Sequence, residues 1–261
     1  MQKSYTIELN GIRYKLGAAD IGNSRIKLLI GSSYQAFSYD KAWEIMTEEF
    51  LTLLADGPVM LGYSTVNHGY LNLFKEIASR LPVIILKDVR EFLPMQTHLQ
   101  YEQIEGIGED RLLGLFGAMH HISPPLITVD CGTAVTVNAV EGNGKCLGGA
   151  IFAGINTQLD GLTVAAEGLN KIDLQTDIQD LGTNTVQALS TGILKSIAGG
   201  IIEIISDIFK NEFQGRKVPV FLTGGHAEII AKALKNAGFP FQVSPTLVLD
   251  GIIYLLNDVN S

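Results

Sequence analysis

A repeat constrains this chain more than any other feature of its sequence. An apolar strand ends in Asp-x-Gly, turns, and leaves as a second apolar strand. This happens at Ala19-Asp20-Ile21-Gly22-Asn23-Ser24 and again at Val129-Asp130-Cys131-Gly132-Thr133-Ala134. The two aspartates stand 110 positions apart (130 − 20). A period that long predicts two similar domains rather than a solenoid. In each copy the glycine lets the backbone turn tightly or approach a ligand. The turn offers backbone N–H groups and a small polar side chain, and the aspartate at the strand end can hold a cation. Each copy is therefore a candidate cradle for phosphate and metal.

The flanking patterns support a duplication. Tyr5–Leu9 and Ile12–Leu16 surround Asn10-Gly11, a strong hairpin signal. Leu16–Ile21 enters the first cradle, Arg25–Ile30 leaves it, and Tyr34–Tyr39 reads as a third strand. A helix over Lys41–Ala55, a strand at Val59–Tyr63, a helix over Asn67–Arg80 and a strand at Val83–Leu86 follow. After a looser stretch, Lys87–Gly108, a helix covers Asp110–His121. Pro124-Pro125 marks the expected junction, and the pattern restarts. Leu126–Val129 leads into the second cradle, Val135–Val140 leaves it and Lys145–Phe152 returns. Helices are predicted over Ile155–Glu167 and Thr185–Phe213, the latter in one or two pieces. Strands at Val218–Leu222 and Phe241–Ser244 alternate with helices over Ala227–Ala237 and Leu247–Val259. Strands alternating with helices predict the α/β class, with a mixed, mostly parallel sheet flanked by helices in each domain. The expected domains are residues 1–123, including an extra hairpin at 1–17, and residues 124–261.

The totals narrow the function. A net charge of −8 argues against a long nucleic-acid footprint or an anionic membrane surface as partner. No apolar run approaches membrane length, and the first residues lack the apolar core of a signal peptide, so the cytoplasm is expected. Cys131 and Cys146 leave room for one disulfide but make no disulfide framework or metal motif. The P-loop and dinucleotide-binding glycine patterns are missing, as is the serine-hydrolase elbow. His120 and His121 are adjacent and read as helix-end surface residues; His68, His98 and His226 are isolated. Phosphoryl transfer needs a cation, donors around the phosphates and a group that positions or deprotonates the nucleophile. Asp20 and Asp130 can serve cations. Asn23, Ser24, Thr133 and Lys27 supply donors, although Lys27 reads equally well as a solvated strand lysine. The two cradles together predict an ATP clamped between them. Gly108-Glu109-Asp110-Arg111 opens a helix. It reads either as a carboxylate aimed at a hydroxyl beside a carboxylate-binding arginine, or as a dipole-favoured acid and a surface arginine.

Taken in order, Asp20-Ile-Gly-Asn-Ser, Gly108-Glu-Asp-Arg, Asp130-Cys-Gly-Thr-Ala-Val-Thr, Gly148-Gly-Ala-Ile-Phe-Ala-Gly and Thr223-Gly-Gly-His-Ala resemble the type III pantothenate kinase family. Gly182-Thr-Asn-Thr and Leu247-Val-Leu-Asp-Gly also fit, so the resemblance covers nearly everything from Ala18 to Tyr254. It implies a duplicated actin-like, ribonuclease-H-like fold and ATP-dependent phosphorylation of the primary hydroxyl of pantothenate, the first step towards coenzyme A. It also implies a homodimer that uses Mg²⁺ and a monovalent cation, K⁺ or NH₄⁺. By matching position, Asp110 is the implied general base. Tyr101, Gly108, Arg111 and Thr185 are implied pantothenate contacts, Thr185 from the partner subunit. Asp20, Gly22, Asn23, Ser24 and Lys27 belong to the first phosphate loop, with Asp20 serving Mg²⁺. Gly132 and Thr133 belong to the second loop, Asp130 holds the monovalent cation, and Gly224 and Gly225 lie against adenosine. The chain departs from the family pattern at Ser24 (usually Thr), at Ile104 and Ala153 (usually Pro), and in its first seventeen residues. Two other readings share the fold: a non-catalytic or regulatory ATP-binding protein, and a kinase for another small hydroxylated acid or sugar.

Overall fold

The computed structural model describes residues 5–39, 48, 57–81, 84–169, 172–175 and 180–259. The helix expected over 41–55 lies outside the described residues except at Glu48, as does Val83 of the expected strand at 83–86. The chain divides into two units, residues 1–122 with 246–261, and residues 123–245.

The first unit is built on a six-stranded sheet. Strands β1 (Thr6–Leu9), β2 (Ile12–Ile21), β3 (Arg25–Ile30) and β4 (Ser33–Ser38) follow one another, then β5 (Val59–Thr65) and β6 (Ile84–Asp88). The order is β4-β3-β2-β5-β6, with β1 added on β2. β2, β3 and β4 pair antiparallel, whereas β5 and β6 join parallel to β2. Helix α1 (His68–Ser79) packs Leu71, Phe74 and Ile77 against Ala19, Ile21, Leu28 and Leu61 on one face. Asn67 caps α1, its side chain accepting from the Tyr70 amide. On the other face lie α2 (Glu109–His121) and α6 (Leu247–Val259), in contact with each other and, through α6, with β2 and β5. At the α2–α6 contact the two backbones meet: a Cβ on Gly117 would collide with the Leu247 carbonyl, and one on Gly251 with the Leu113 carbonyl.

The closing helix α6 therefore groups with the first unit, where the sequence pattern placed it at the end of the second. Its amphipathic period predicts a helix but carries no address. The paired glycines and two imidazole–carboxylate contacts supply one. His120 Nε2 lies 3.3 Å from Asp258 Oδ2, and His121 Nε2 lies 3.2 Å from Asp250 Oδ2. The two histidines thus bridge α2 to α6 instead of standing idle at the helix end. The N-terminal hairpin adds a short strand. β1 pairs with Ile12–Lys15 of β2, and β3 with Gly17–Ile21, so the hairpin lies at the end of β2 remote from Asp20.

The second unit repeats the plan. Strands β7 (Leu126–Cys131), β8 (Ala134–Val140) and β9 (Cys146–Ala153) form the antiparallel meander, and β10 (Val220–Thr223) and β11 (Phe241–Val243) add parallel to β7. The order β11-β10-β7-β8-β9 matches that of the first sheet apart from the added β1. Helices α3 (Ile155–Ala165), α4 (Thr185–Asn211) and α5 (Ala227–Ala233) complete it. α4 is one continuous helix despite its internal glycines. Its length and composition would allow a membrane span. Its apolar side accounts for that composition, because Ile193, Leu194, Ile197, Ile201 and Ile205 are buried in the unit's core against β7, β8 and β10. Cys131 and Cys146 are buried and form no disulfide.

Candidate active site

Asp20 is the penultimate residue of β2. The register places Lys27 of β3 on one side of it and Ser64 of β5 on the other. Lys27 Nζ donates to Asp20 Oδ2 at 2.9 Å, with the two side chains 16% and 10% exposed. Lys27 is thus a half-buried partner of the carboxylate rather than a freely solvated strand lysine. The turn closes where the Gly22 amide donates to the Arg25 carbonyl at 3.1 Å, leaving Asn23 and Ser24 exposed at its tip. Tyr39, stacked on Tyr70, donates its hydroxyl to the Gly22 carbonyl at 2.6 Å. Burial holds the Tyr39 phenol well above its usual pKa, with Tyr70 and Asp20 adding to the shift, so it remains a donor. Removing this bond in Tyr39→Phe should raise KM for ATP by about three- to tenfold, the equivalent of one hydrogen bond. An unchanged KM would mean that the bond does not set the loop.

Helix α2 opens beside this group. Gly108 is its N-cap and supplies no capping side chain. A Cβ there would lie 2.6 Å from Asp110 Oδ1, which accepts from the Arg111 amide at 2.9 Å. Burial pushes the Asp110 carboxyl up, and the negative charge of Asp20 pushes the same way. The Arg111 amide bond and the charges of Arg111 and Lys27 oppose that shift. Asp20, Lys27 and Arg111 are therefore close enough to bear on the ionisation of Asp110. Tyr101 is half-buried in the loop before α2. Ile104 closes a turn there by donating its amide to the Tyr101 carbonyl at 2.8 Å, a bond that proline could not make.

Two residues missed in the sequence join this group. Ser64 follows the apolar run of β5, and its Oγ donates to Glu109 Oε2 at 3.3 Å. Polar residues just beyond the carboxyl end of a parallel strand were the available signal. Glu109 was visible in its motif, but its contacts were not.

In the second unit Asp130 is again the penultimate strand residue, flanked by Thr136 and Thr223. The Gly132 amide donates to the Ala134 carbonyl at 3.0 Å, and Thr133 is exposed. The Thr133 carbonyl accepts from the Gly154 amide at 2.9 Å and from Thr157 Oγ1 at 2.6 Å. Gly224 has φ +95°. A Cβ on it would collide with Asp130 Oδ1 and lie 2.7 Å from the Cys131 backbone. Gly225, beside it, is exposed. Ala153 pairs with Ala134 in the β-ladder, and its carbonyl accepts from Gln158 Nε2 at 2.9 Å. Thr185 opens α4 and is exposed. It borders an open cleft of about 680 Å³ shared with Gln158, Leu162, Thr183 and Ile193.

Among the described residues no group of three or more His, Cys, Asp or Glu is arranged to hold a metal ion. A Mg²⁺ that arrives with a nucleotide needs only one or two carboxylates, the rest of its shell being phosphate oxygens and water. The buried Asp20 carboxylate fits that donor set.

Comparison with known proteins gives one consistent family. The profile of type III pantothenate kinase matches residues 18–207. A type III pantothenate kinase of Dichelobacter nodosus is 30% identical over 247 residues, covering 89% of this chain and 94% of that protein. One from a Sulfurihydrogenibium species is 33% identical over 177 residues, covering 67% of this chain and 66% of that protein. Among solved structures, a Campylobacter jejuni protein described as a Baf family transcriptional activator superposes with TM-score 0.59 at 20% identity, covering 93% of this chain and 98% of its own. A Sinorhizobium meliloti protein described as a 2-dehydro-3-deoxygalactonokinase gives 0.54 at 13% identity, with 94% and 99% covered. At such identities these two structures speak to the fold alone.

Proposed function

The chain belongs to the type III pantothenate kinase family, and from that premise we propose how its residues divide the work. The enzyme transfers a phosphoryl group from ATP to pantothenate, which commits pantothenate to coenzyme A synthesis. The observation that carries the residue assignment is Asp110, a desolvated carboxyl at the start of α2 within electrostatic reach of Asp20 and Lys27. It accepts the proton of the substrate's primary hydroxyl as that oxygen bonds to the γ-phosphorus and the bond to the β-bridging oxygen breaks, leaving ADP. Desolvation raises its basicity towards working pH, which suits a general base. Arg111 forks onto the pantothenate carboxylate, and Tyr101, Gly108 and Thr185 complete the substrate contacts.

Each unit carries one candidate phosphate loop. In the first, Gly22, Asn23, Ser24 and Lys27 supply donors, and Asp20 takes the divalent ion that neutralises the phosphates. In the second, Gly132 and Thr133 supply donors, with Gly224 and Gly225 against adenosine. Asp130 holds a monovalent cation. K⁺ or NH₄⁺ should therefore stimulate turnover severalfold over Na⁺ at equal ionic strength, measured by coupled ADP release. Indifference to the cation would remove that role from Asp130. The working species is a homodimer in the cytoplasm, with Thr185 reaching the partner's substrate. Sedimentation should give twice the chain mass, and a monomer with full activity would overturn this. The assay that tests the function is ADP release dependent on both ATP and pantothenate. Equal rates with other hydroxylated acids or sugars would move the substrate assignment.

A further inference from the structure

The first turn of α2 has no capping side chain of its own, and Asp110 commits one carboxylate oxygen to the Arg111 amide. Where the other oxygen points depends on how that turn is set against the sheet. Glu109, the first residue of α2, reaches the sheet from that turn. Its Oε2 accepts from Ser64 Oγ at 3.3 Å, and Ser64 is the β5 residue in register with Asp20. The same bond thus ties α2 to the strand edge that carries the first phosphate loop.

The other oxygen of Glu109 faces Arg90 Nε at 3.8 Å. Arg90 is itself anchored on Asp88. Its amide and Nε donate to Asp88 Oδ1 at 3.1 and 3.0 Å, and Nη2 donates to Oδ2 at 2.6 Å. Asp88 Oδ2 also accepts from the Tyr63 hydroxyl at 3.1 Å. Tyr63 and Ser64 are consecutive on β5, so the chain of contacts leaves that strand at one residue and returns at the next. The weight in this circuit falls on the Ser64 bond. Ser64 is 2% exposed, whereas the Arg90 side chain is 46% exposed and its ion pair is largely screened.

We infer that Glu109 is a positioning residue: through Ser64 it fixes the first turn of α2 and so aims the Asp110 carboxylate at the substrate hydroxyl. This rests on the kinase reading with Asp110 as base. A group that acts through orientation of the base should change kcat and leave nucleotide binding nearly untouched.

The experiment is steady-state kinetics on the full chain for Glu109→Ala, Glu109→Gln, Ser64→Ala and the Ser64→Ala/Glu109→Ala double variant, with unfolding midpoints measured alongside. Glu109→Ala is expected to lower kcat by about tenfold, with KM for ATP within about twofold. Glu109→Gln should recover most of that loss, because its side-chain carbonyl still accepts from Ser64. The double variant should be no slower than the worse single variant, as expected for two partners in one contact. Ser64→Ala and Glu109→Gln keep the test alive if Glu109→Ala unfolds. Unchanged kcat in Ser64→Ala and Glu109→Ala, a Gln variant no better than Ala, or losses that multiply in the double variant would each overturn the inference. Failure of the unaltered chain to release ADP with pantothenate would instead overturn the kinase reading, and full activity in Asp110→Asn the assignment of the base.

Discussion

Asp110→Asn is expected to lower kcat for pantothenate phosphorylation by about 100-fold or more, the contribution of a general base. KM for ATP should change little, since the Gly22 amide and Tyr39 hydroxyl bonds that hold the first loop do not involve Asp110. The fold should survive. The asparagine carbonyl can still accept from the Arg111 amide that Asp110 Oδ1 now engages. Burial raises the Asp110 pKa, so the folded state binds this proton more tightly than the unfolded chain does. An ionised Asp110 therefore costs stability above its folded pKa, and that cost is relieved as pH falls through the raised value. Asparagine removes it, and the unfolding midpoint at neutral pH should stay level or rise. The unaltered enzyme should lose kcat on acidification at a pH above the usual carboxylate value of about 3.9. An asparagine variant with full activity, or an acid limb at the ordinary carboxylate value, would show that another group takes the proton.

Gly251→Ala should be among the most damaging small substitutions away from the site. The added methyl would meet the Leu113 carbonyl, across a contact where Gly117 has the same relation to Leu247. Neither backbone can yield without moving a helix, so the cost should reach the upper end of overpacking, about 3 kcal/mol. For a protein of this size that is a fall of roughly 6–12 °C in the unfolding midpoint. Gly161 in α3 is the control, because nothing lies within 4 Å of where its Cβ would stand. Gly161→Ala should be neutral or stabilise by about 0.5–1 kcal/mol. Equal shifts from the two variants would mean that α2 and α6 pack more loosely than their backbones indicate.

That both motifs fold as strand, turn and strand has a local cause. An apolar run followed by Asp-x-Gly and another apolar run specifies a strand, a tight turn and a strand through short-range sterics alone. Both copies fold that way, with Asp20 and Asp130 each one residue from the strand end. The 110-residue period likewise foretold two similar halves, and the two sheets share a strand order apart from β1. Lys27 was ambiguous because strand alternation gives only a face. The register with Asp20 that makes it a half-buried partner is a long-range fact. That His120 and His121 stand at the helix end was legible, but their contacts were not, since Asp258 and Asp250 lie more than a hundred residues away.

What the sequence determined by itself, then, was the duplication, the two turn-forming loops and the family that their order identifies, since each depends on neighbours within a few residues or on order along the chain. Tertiary structure alone decided that α6 returns to the first unit, that Gly117 and Gly251 must stay bare, and that Ser64 and Glu109 meet beside Asp20. Those outcomes turn on which strand edges and helix faces come together, and side-chain type at one position does not encode its partner across the fold.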